Sequence, residues 1–128
     1  RAIKIDPGRG YFYVARAGAW LLKGDAGRAL NDLDQAIKLD ADAAYAWLMR
    51  GVIRGMEKDY ARALADFDQA IKRAPRLAEA WYNRAVTLLR MNRLREAEDD
   101  LARLRELGGI LKPETEQLWR ETKERLKR

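Results

Sequence analysis

The sequence predicts an all-α fold, an α-solenoid of stacked antiparallel helix hairpins, on three observations. The chain repeats itself every 34 residues: Ala2-Ile3-Lys4 recurs as Ala36-Ile37-Lys38 and as Ala70-Ile71-Lys72. Arg16, Arg50 and Arg84 keep the same spacing, as do Asp32, Asp66 and Asp100, Ala29, Ala63 and Ala97, and the aromatics Tyr13, Trp47 and Trp81. Within each period, apolar residues recur at helical rather than alternating spacing. The composition, 48% apolar and 36% charged, suits a folded helical chain and argues against disorder. A unit of this length buries its apolar face only against its neighbours, so the units must stack.

Taken in order, residues 1–9 read as the tail of a truncated preceding repeat, with Pro7 in the place that Pro75 holds later. Three full repeats follow, at residues 10–43, 44–77 and 78–111. In the middle one, a first helix is predicted from Ala44 to about Glu57, carrying Trp47, Met49, Val52, Ile53 and Met56. Lys58-Asp59 breaks it. A second helix runs from Tyr60 to about Arg73, with Ala63, Leu64, Phe67, Ala70 and Ile71 on its buried stripe. Pro75 stops that helix, because proline cannot continue the hydrogen-bond ladder. Gly24-Asp25 and Asn92-Arg93 hold the same break in the adjoining units. Gly108-Gly109 closes the last repeat, glycine being the residue that best supplies a left-handed C-cap. Residues 112–128 are read as a capping helix with Pro113 in its first turn and a stripe of Thr115, Leu118, Trp119, Thr122 and Leu126. Trp119 falls where a repeat needs a small residue, so this helix closes the array rather than opening another repeat.

The order Trp47, Gly51, Ala63, Phe67, Ala70, Pro75 resembles the tetratricopeptide repeat, whose pattern runs W-x2-L-G-x2-Y, then A-x3-F, then P. The flanking units read Tyr13, Ala17, Ala29, Leu33, Ala36, Ala41 and Trp81, Ala85, Ala97, Leu101, Leu104, Gly109. Small residues at Ala17, Gly51 and Ala85, and at Ala29, Ala63 and Ala97, let the two helices cross closely. The resemblance implies a right-handed superhelix. This chain departs from the pattern in two ways. Arg16, Arg50 and Arg84 stand where the pattern has Leu, each with an Asp sixteen residues on, at Asp32, Asp66 and Asp100. An arginine in a partly buried seam needs a carboxylate, so a ladder of structural ion pairs is expected, ahead of an arginine row gripping an acidic ligand. Arg54 replaces the consensus Tyr, with Trp20 and Leu88 in the equivalent places.

The missing residue types narrow the function. There is no Cys, no His and no Ser, so Ser–His and Cys–His nucleophile–base pairs cannot form, nor thiolate or imidazole metal sites. The acidic residues follow the repeat as scaffold residues do. No enzyme activity, metal or cofactor is therefore expected. No apolar run approaches the roughly 20 residues needed to cross a bilayer. The net charge of +6 is spread out, no repeat-length unit exceeding +3, and no dense basic stripe tracks phosphates. Nucleic acid ranks as a distant third class of partner.

The resemblance implies a concave groove lined by the first helix of each repeat. Its positions fall on Tyr11, Val14, Ala15, Gly18, Leu21 and Leu22; on Tyr45, Leu48, Met49, Val52, Gly55 and Met56; and on Glu79, Tyr82, Asn83, Val86, Leu89 and Arg90. Tyr11, Val14, Tyr45, Leu48, Met49, Val52, Tyr82, Asn83 and Val86 are the candidate partner-binding residues, with a single contiguous patch expected from Tyr45 to Tyr82. The family's clamp for acidic chaperone tails would use Lys, Asn and Arg, but its places hold Val14, Gly18, Met49, Glu79 and Asn83, or one repeat on, Leu48, Val52, Asn83, Pro113 and Gln117. Only Asn83 fits. The expected function is a non-catalytic protein-interaction scaffold that binds a peptide or helix in an apolar groove. The alternative is a homo-oligomerisation or structural module of a larger protein, since an exposed apolar patch marks one or the other.

Overall fold

In the computed structural model, which describes residues 7–127, the apolar periodicity resolves into seven helices. They are α1 (Pro7–Leu22), α2 (Ala26–Leu39), α3 (Ala44–Met56), α4 (Tyr60–Arg73), α5 (Ala78–Arg90), α6 (Leu94–Glu106) and α7 (Pro113–Lys127). The first six pair as hairpins, α1 with α2, α3 with α4 and α5 with α6, and the hairpins stack in chain order. The expected tail of an earlier repeat falls mainly on residues 1–6, outside the described residues. Pro7, Gly8 and Arg9 belong instead to α1, which starts three residues before the place its period assigns. Proline suits this first helical position, where its missing N–H has no partner to lose.

The turns inside the hairpins are built alike from different residues. Gly24, Lys58 and Asn92, 34 residues apart, all have positive φ, at 79°, 63° and 61°. Each carries the chain through the left-handed region that ends a helix. The side chains of Asp25 and Asp59 then cap the second helix by accepting from the backbone N–H of Arg28 (3.0 Å) and Arg62 (3.4 Å). Arg93 cannot accept such a bond; its guanidinium pairs with Glu96 at 2.6 Å instead. Between hairpins, the indole N–H of Trp47 donates to the Ala41 carbonyl and that of Trp81 to the Pro75 carbonyl, both at 2.8 Å. The repeated aromatic thereby ties down the connection that precedes it.

Where the helices of a hairpin cross, volume is shared between two positions. Ala17 faces the level of Leu33 and Ala85 that of Leu101, but the middle hairpin pairs Gly51 with Phe67. A Cβ on Gly51 would lie 2.6 Å from a Phe67 ring carbon. Glycine at this crossing therefore makes room for a larger partner. Stacking then buries apolar residues across each boundary between hairpins. Ala46 and Ile53 of α3 pack with Ala17, Ala29, Leu33 and Ala36 of the first hairpin. Ala80 of α5 packs with Leu48, Ala63, Phe67 and Ala70 of the second. At the far end α7 takes the place of the next hairpin's first helix. Leu118 and Trp119 cover Leu88, Leu89 and Ala97, and the Trp119 indole donates to Glu98 at 2.9 Å. Burying each large apolar side chain contributes about 1.5–3 kcal/mol.

Candidate functional site

The first helices of the hairpins, α1, α3 and α5, line the concave side, but they are not evenly spaced. α3 lies against α5, whereas the space between α1 and α3 opens into a hollow of about 580 Å³. Tyr11, Val14, Ala15 and Gly18 form one wall, and Tyr45 and Met49 the other. Tyr11 is 75% exposed and Tyr45 about half exposed, so two rings stand at the rim. Gly18 leaves the floor open: a Cβ there would meet nothing within 4 Å. Apart from the rim phenols, the ionisable group in the lining is Asp40, and its carboxylate already accepts from the Asp42 backbone N–H at 3.0 Å. Such a surface can receive an apolar side chain. It offers no acid–base pair.

The remaining candidates are distributed differently from the sequence expectation. Val52, Asn83 and Val86 line a second, smaller hollow between α3 and α5, together with Met56 and Arg90. The Asn83 amide donates to the Glu79 carbonyl of its own helix at 2.8 Å. The Tyr82 hydroxyl is held by the C-terminal cap, 2.7 Å from the Thr115 hydroxyl and accepting from the Lys112 backbone N–H at 3.0 Å. Leu48 does not face the groove. It is 2% exposed and packs among Ala63, Phe67, Ala70 and Ala80, because α5 closes over this face of α3, whereas the corresponding face of α1, which carries Val14, lines the open α1–α3 hollow. Leu89 is likewise buried, beneath α7. The expected contiguous patch is therefore split in two at Leu48.

Behind the groove runs the charged seam. Arg16 grips Asp32 with two parallel bonds of 2.8 and 2.7 Å. Arg50 does the same to Asp66 at 3.1 and 2.9 Å, and Arg84 to Asp100 at 2.8 and 2.7 Å. The three aspartates are buried, where a fork-to-fork geometry compensates the lost hydration. Arg54 adds a third bond to Asp66 at 3.0 Å, which explains an arginine at that position of the middle repeat.

The seam also crosses between hairpins, a link the sequence reading missed. The third arm of Arg50 reaches back to Asp34 and that of Arg84 to Asp68, each at 2.9 Å. The available signal was the recurrence of Asp34 and Asp68 sixteen residues before an arginine. The guanidinium of Arg84 is held above the ordinary arginine pKa, chiefly by its bond to Asp100. Burial alone would lower that of Arg50, but its bonds to Asp66 and Asp34 outweigh burial and raise it. Each guanidinium also covers an aromatic ring, Arg50 over Trp47 and Arg84 over Trp81 at 5.0 Å. Among the described residues, every buried side-chain N or O atom has a hydrogen-bond partner, and no cluster of three metal-ligating side chains occurs.

Hairpins of this period, with a small residue at each crossing and an aromatic tether at each connection, match a known family. Two tetratricopeptide repeat profiles match the sequence, over residues 21–54 and 56–108. The chain belongs to the tetratricopeptide repeat family. No curated protein matches it. Among solved structures, it is similar to the first TPR of Spaghetti (RPAP3) bound to the HSP90 peptide SRMEEVD. That match has 18% identity and a TM-score of 0.88, over 99% of this chain and 100% of the other. It is also similar to the TPR2B domain of yeast Sti1 in its pHsp70 complex, at 18% identity and TM-score 0.83, over 92% and 98% of the two chains. The Arabidopsis OM64 TPR domain matches at 16% identity and TM-score 0.82, over 92% and 97%. At these identities the likeness is one of fold. No helix among the described residues is long and apolar enough to cross a membrane.

Proposed function

We propose that this tetratricopeptide repeat chain is a non-catalytic peptide-binding module that seats an apolar side chain of its partner between α1 and α3. The observation that carries the reading is the apolar hollow framed by Tyr11, Val14, Gly18, Tyr45 and Met49. Its volume lies within the range of about 300–1,000 Å³ typical of ligand sites. Tyrosines at a rim supply area at low entropic cost, and a methionine adapts to the shape of its guest. Two of the structural relatives hold chaperone peptides, which supports a peptide as the class of ligand. The HSP90 peptide SRMEEVD has three acidic side chains, whereas the hollow here presents Val14, Gly18 and Met49 and no cation. That difference favours an apolar segment over an acidic tail.

Gly18 provides the test, since a side chain there points into open space without disturbing the core. Peptides selected from a displayed random library are titrated against the wild type, Gly18→Ala and Gly18→Glu, with circular dichroism confirming helix content. Gly18→Ala should bind as the wild type does. Gly18→Glu places a charge that an apolar guest must desolvate, and should lose about 2 kcal/mol, roughly thirtyfold in Kd. Unchanged affinity of every selected peptide for Gly18→Glu would move the site elsewhere. Loss of wild-type self-association alone, followed by size exclusion against concentration, would turn the reading to oligomerisation.

A further inference from the structure

We propose that the notch between α6 and α7 is a second binding site, which takes an internal, extended stretch of a partner protein in which carboxylates flank an apolar side chain. The notch encloses about 420 Å³, a volume typical of ligand sites. It shares no lining residue with the α1–α3 hollow, so it stands or falls independently of that reading. Leu101 and Leu104, both buried, form its floor together with Trp119. Gly109 draws the α6–α7 connection against that floor, since a Cβ there would overlap the Leu104 side chain.

Around this floor the charge is one-sided. Arg105 of α6 and Arg120 and Lys123 of α7 line the notch, against the single carboxylate of Glu116. Lys123 is held in place, its ammonium 4.4 Å from the centre of the Trp119 ring and 4.0 Å from the Glu98 carboxylate. Arg105 and Arg120 are exposed and have no ion pair or side-chain hydrogen bond among the described residues. The seam arginines, by contrast, each hold at least one aspartate. Two guanidinium groups without a carboxylate, beside an apolar floor, complement a segment that carries both acid and hydrocarbon.

A helix of the repeat kind does not fit the notch. The places of Leu48, Gly51, Val52 and Gly55 in α3 are taken in α7 by Glu116, Trp119, Arg120 and Lys123. On α3 this face receives α4: Leu48 packs with Ala63 and Phe67, Gly51 leaves room for the Phe67 ring, and a Cβ on Gly55 would lie 4.0 Å from that of Ala63. With an indole and a lysine at the two glycine places, and charges at the Leu48 and Val52 places, α7 cannot be crossed as α3 is. An extended strand needs no such close approach. A second copy of this chain, with its net charge of +6, is repelled as a whole.

The probe is a short peptide blocked at both ends, with one leucine between two glutamates, titrated into the isotope-labelled full chain and followed by NMR. Its addition should shift the Trp119 indole and the Leu111 amide, and leave Gly18 and Tyr45 of the α1–α3 hollow unmoved. Replacing both glutamates by lysine, or the leucine by glycine, should each weaken binding by about tenfold. So should Arg105→Gln combined with Arg120→Gln, two exposed positions whose substitution leaves the helix content unchanged by circular dichroism. Equal affinity for the acidic and basic peptides, or for the wild type and the double variant, would overturn the proposal. Shifts confined to the α1–α3 hollow would do the same, as would wild-type self-association that the double variant loses, which would give the notch to a second copy.

Discussion

Along the ion-pair ladder between the helices of each hairpin, the arginine and its aspartate recur every 34 residues without change of type, whereas the side chains along the concave side do not recur. Arg16, Arg50 and Arg84 meet Asp32, Asp66 and Asp100 in one geometry three times. Facing the groove, Tyr11 and Tyr45 give way to Glu79, Ala15 to Met49 and Asn83, and Gly18 to Val52 and Val86. The seam must close the same distance with the same chemistry in every unit. A groove position must only be compatible with a helix. Positions released from the period are those at which partner choice can be written without cost to the stack.

Changes in four regions would break or sharpen that contrast. The largest effect is expected from removing residues 112–128, which ends the stack without its cap. Leu89 and its neighbours would be exposed and the Tyr82 hydroxyl would lose both partners. At about 1.5–3 kcal/mol for each of Leu118 and Trp119, the truncated chain should melt much earlier or aggregate, as read by circular dichroism and light scattering. A truncation as soluble and stable as the intact chain would make α7 an appendage.

Within the seam, Asp66→Ala should destabilise by about 3–5 kcal/mol in chemical denaturation, because the buried carboxylate it removes serves both Arg50 and Arg54. Asp34→Ala, which removes only the half-exposed outer contact of Arg50, should cost less than about 1 kcal/mol. Equal losses would mean that the two layers of the ladder are not distinct. At the helix crossing, Gly51→Ala should cost about 1–3 kcal/mol by overpacking against Phe67, and Phe67→Leu in the same chain should recover much of it by restoring the Ala–Leu pairing of the other hairpins. A double variant no better than the sum of the singles would separate the two positions. The one effect of opposite sign belongs to Lys58. Its left-handed backbone is strained for a side chain, so Lys58→Gly should raise stability by about 1 kcal/mol.

The helices and the inner rungs of the ladder were legible in the sequence because both follow from spacing within one repeat. A turn signal such as Lys58-Asp59 and an Arg–Asp pair sixteen residues apart need no knowledge of the neighbour. Features that depend on how hairpins approach one another were not legible. Position five of a first helix is Val14 at an open gap but Leu48 beneath α5, and nothing in the repeat pattern distinguishes the two spacings. The Gly51–Phe67 exchange of volume becomes visible only when the middle repeat is set against its neighbours. Tyr82 looked like a groove residue because its true partners, Lys112 and Thr115, lie in α7, where the period has ended.

The four tryptophans are distributed one to each packing unit, and each ring has a cation over it. Arg28 lies over Trp20 at 4.7 Å, Arg50 and Arg73 over Trp47 at 5.0 Å, Arg84 over Trp81 at 5.0 Å, and Lys123 over Trp119 at 4.4 Å. When a unit opens, its indole exchanges a guanidinium or ammonium lid for water, so the chain carries an intrinsic fluorophore for each segment of its own stack. With phenylalanine at three of the four positions, the remaining emission follows one unit alone. A quasi-one-dimensional array can open from an end or as a single body. Four such single-tryptophan chains turn that choice into an order of colour changes along the polypeptide.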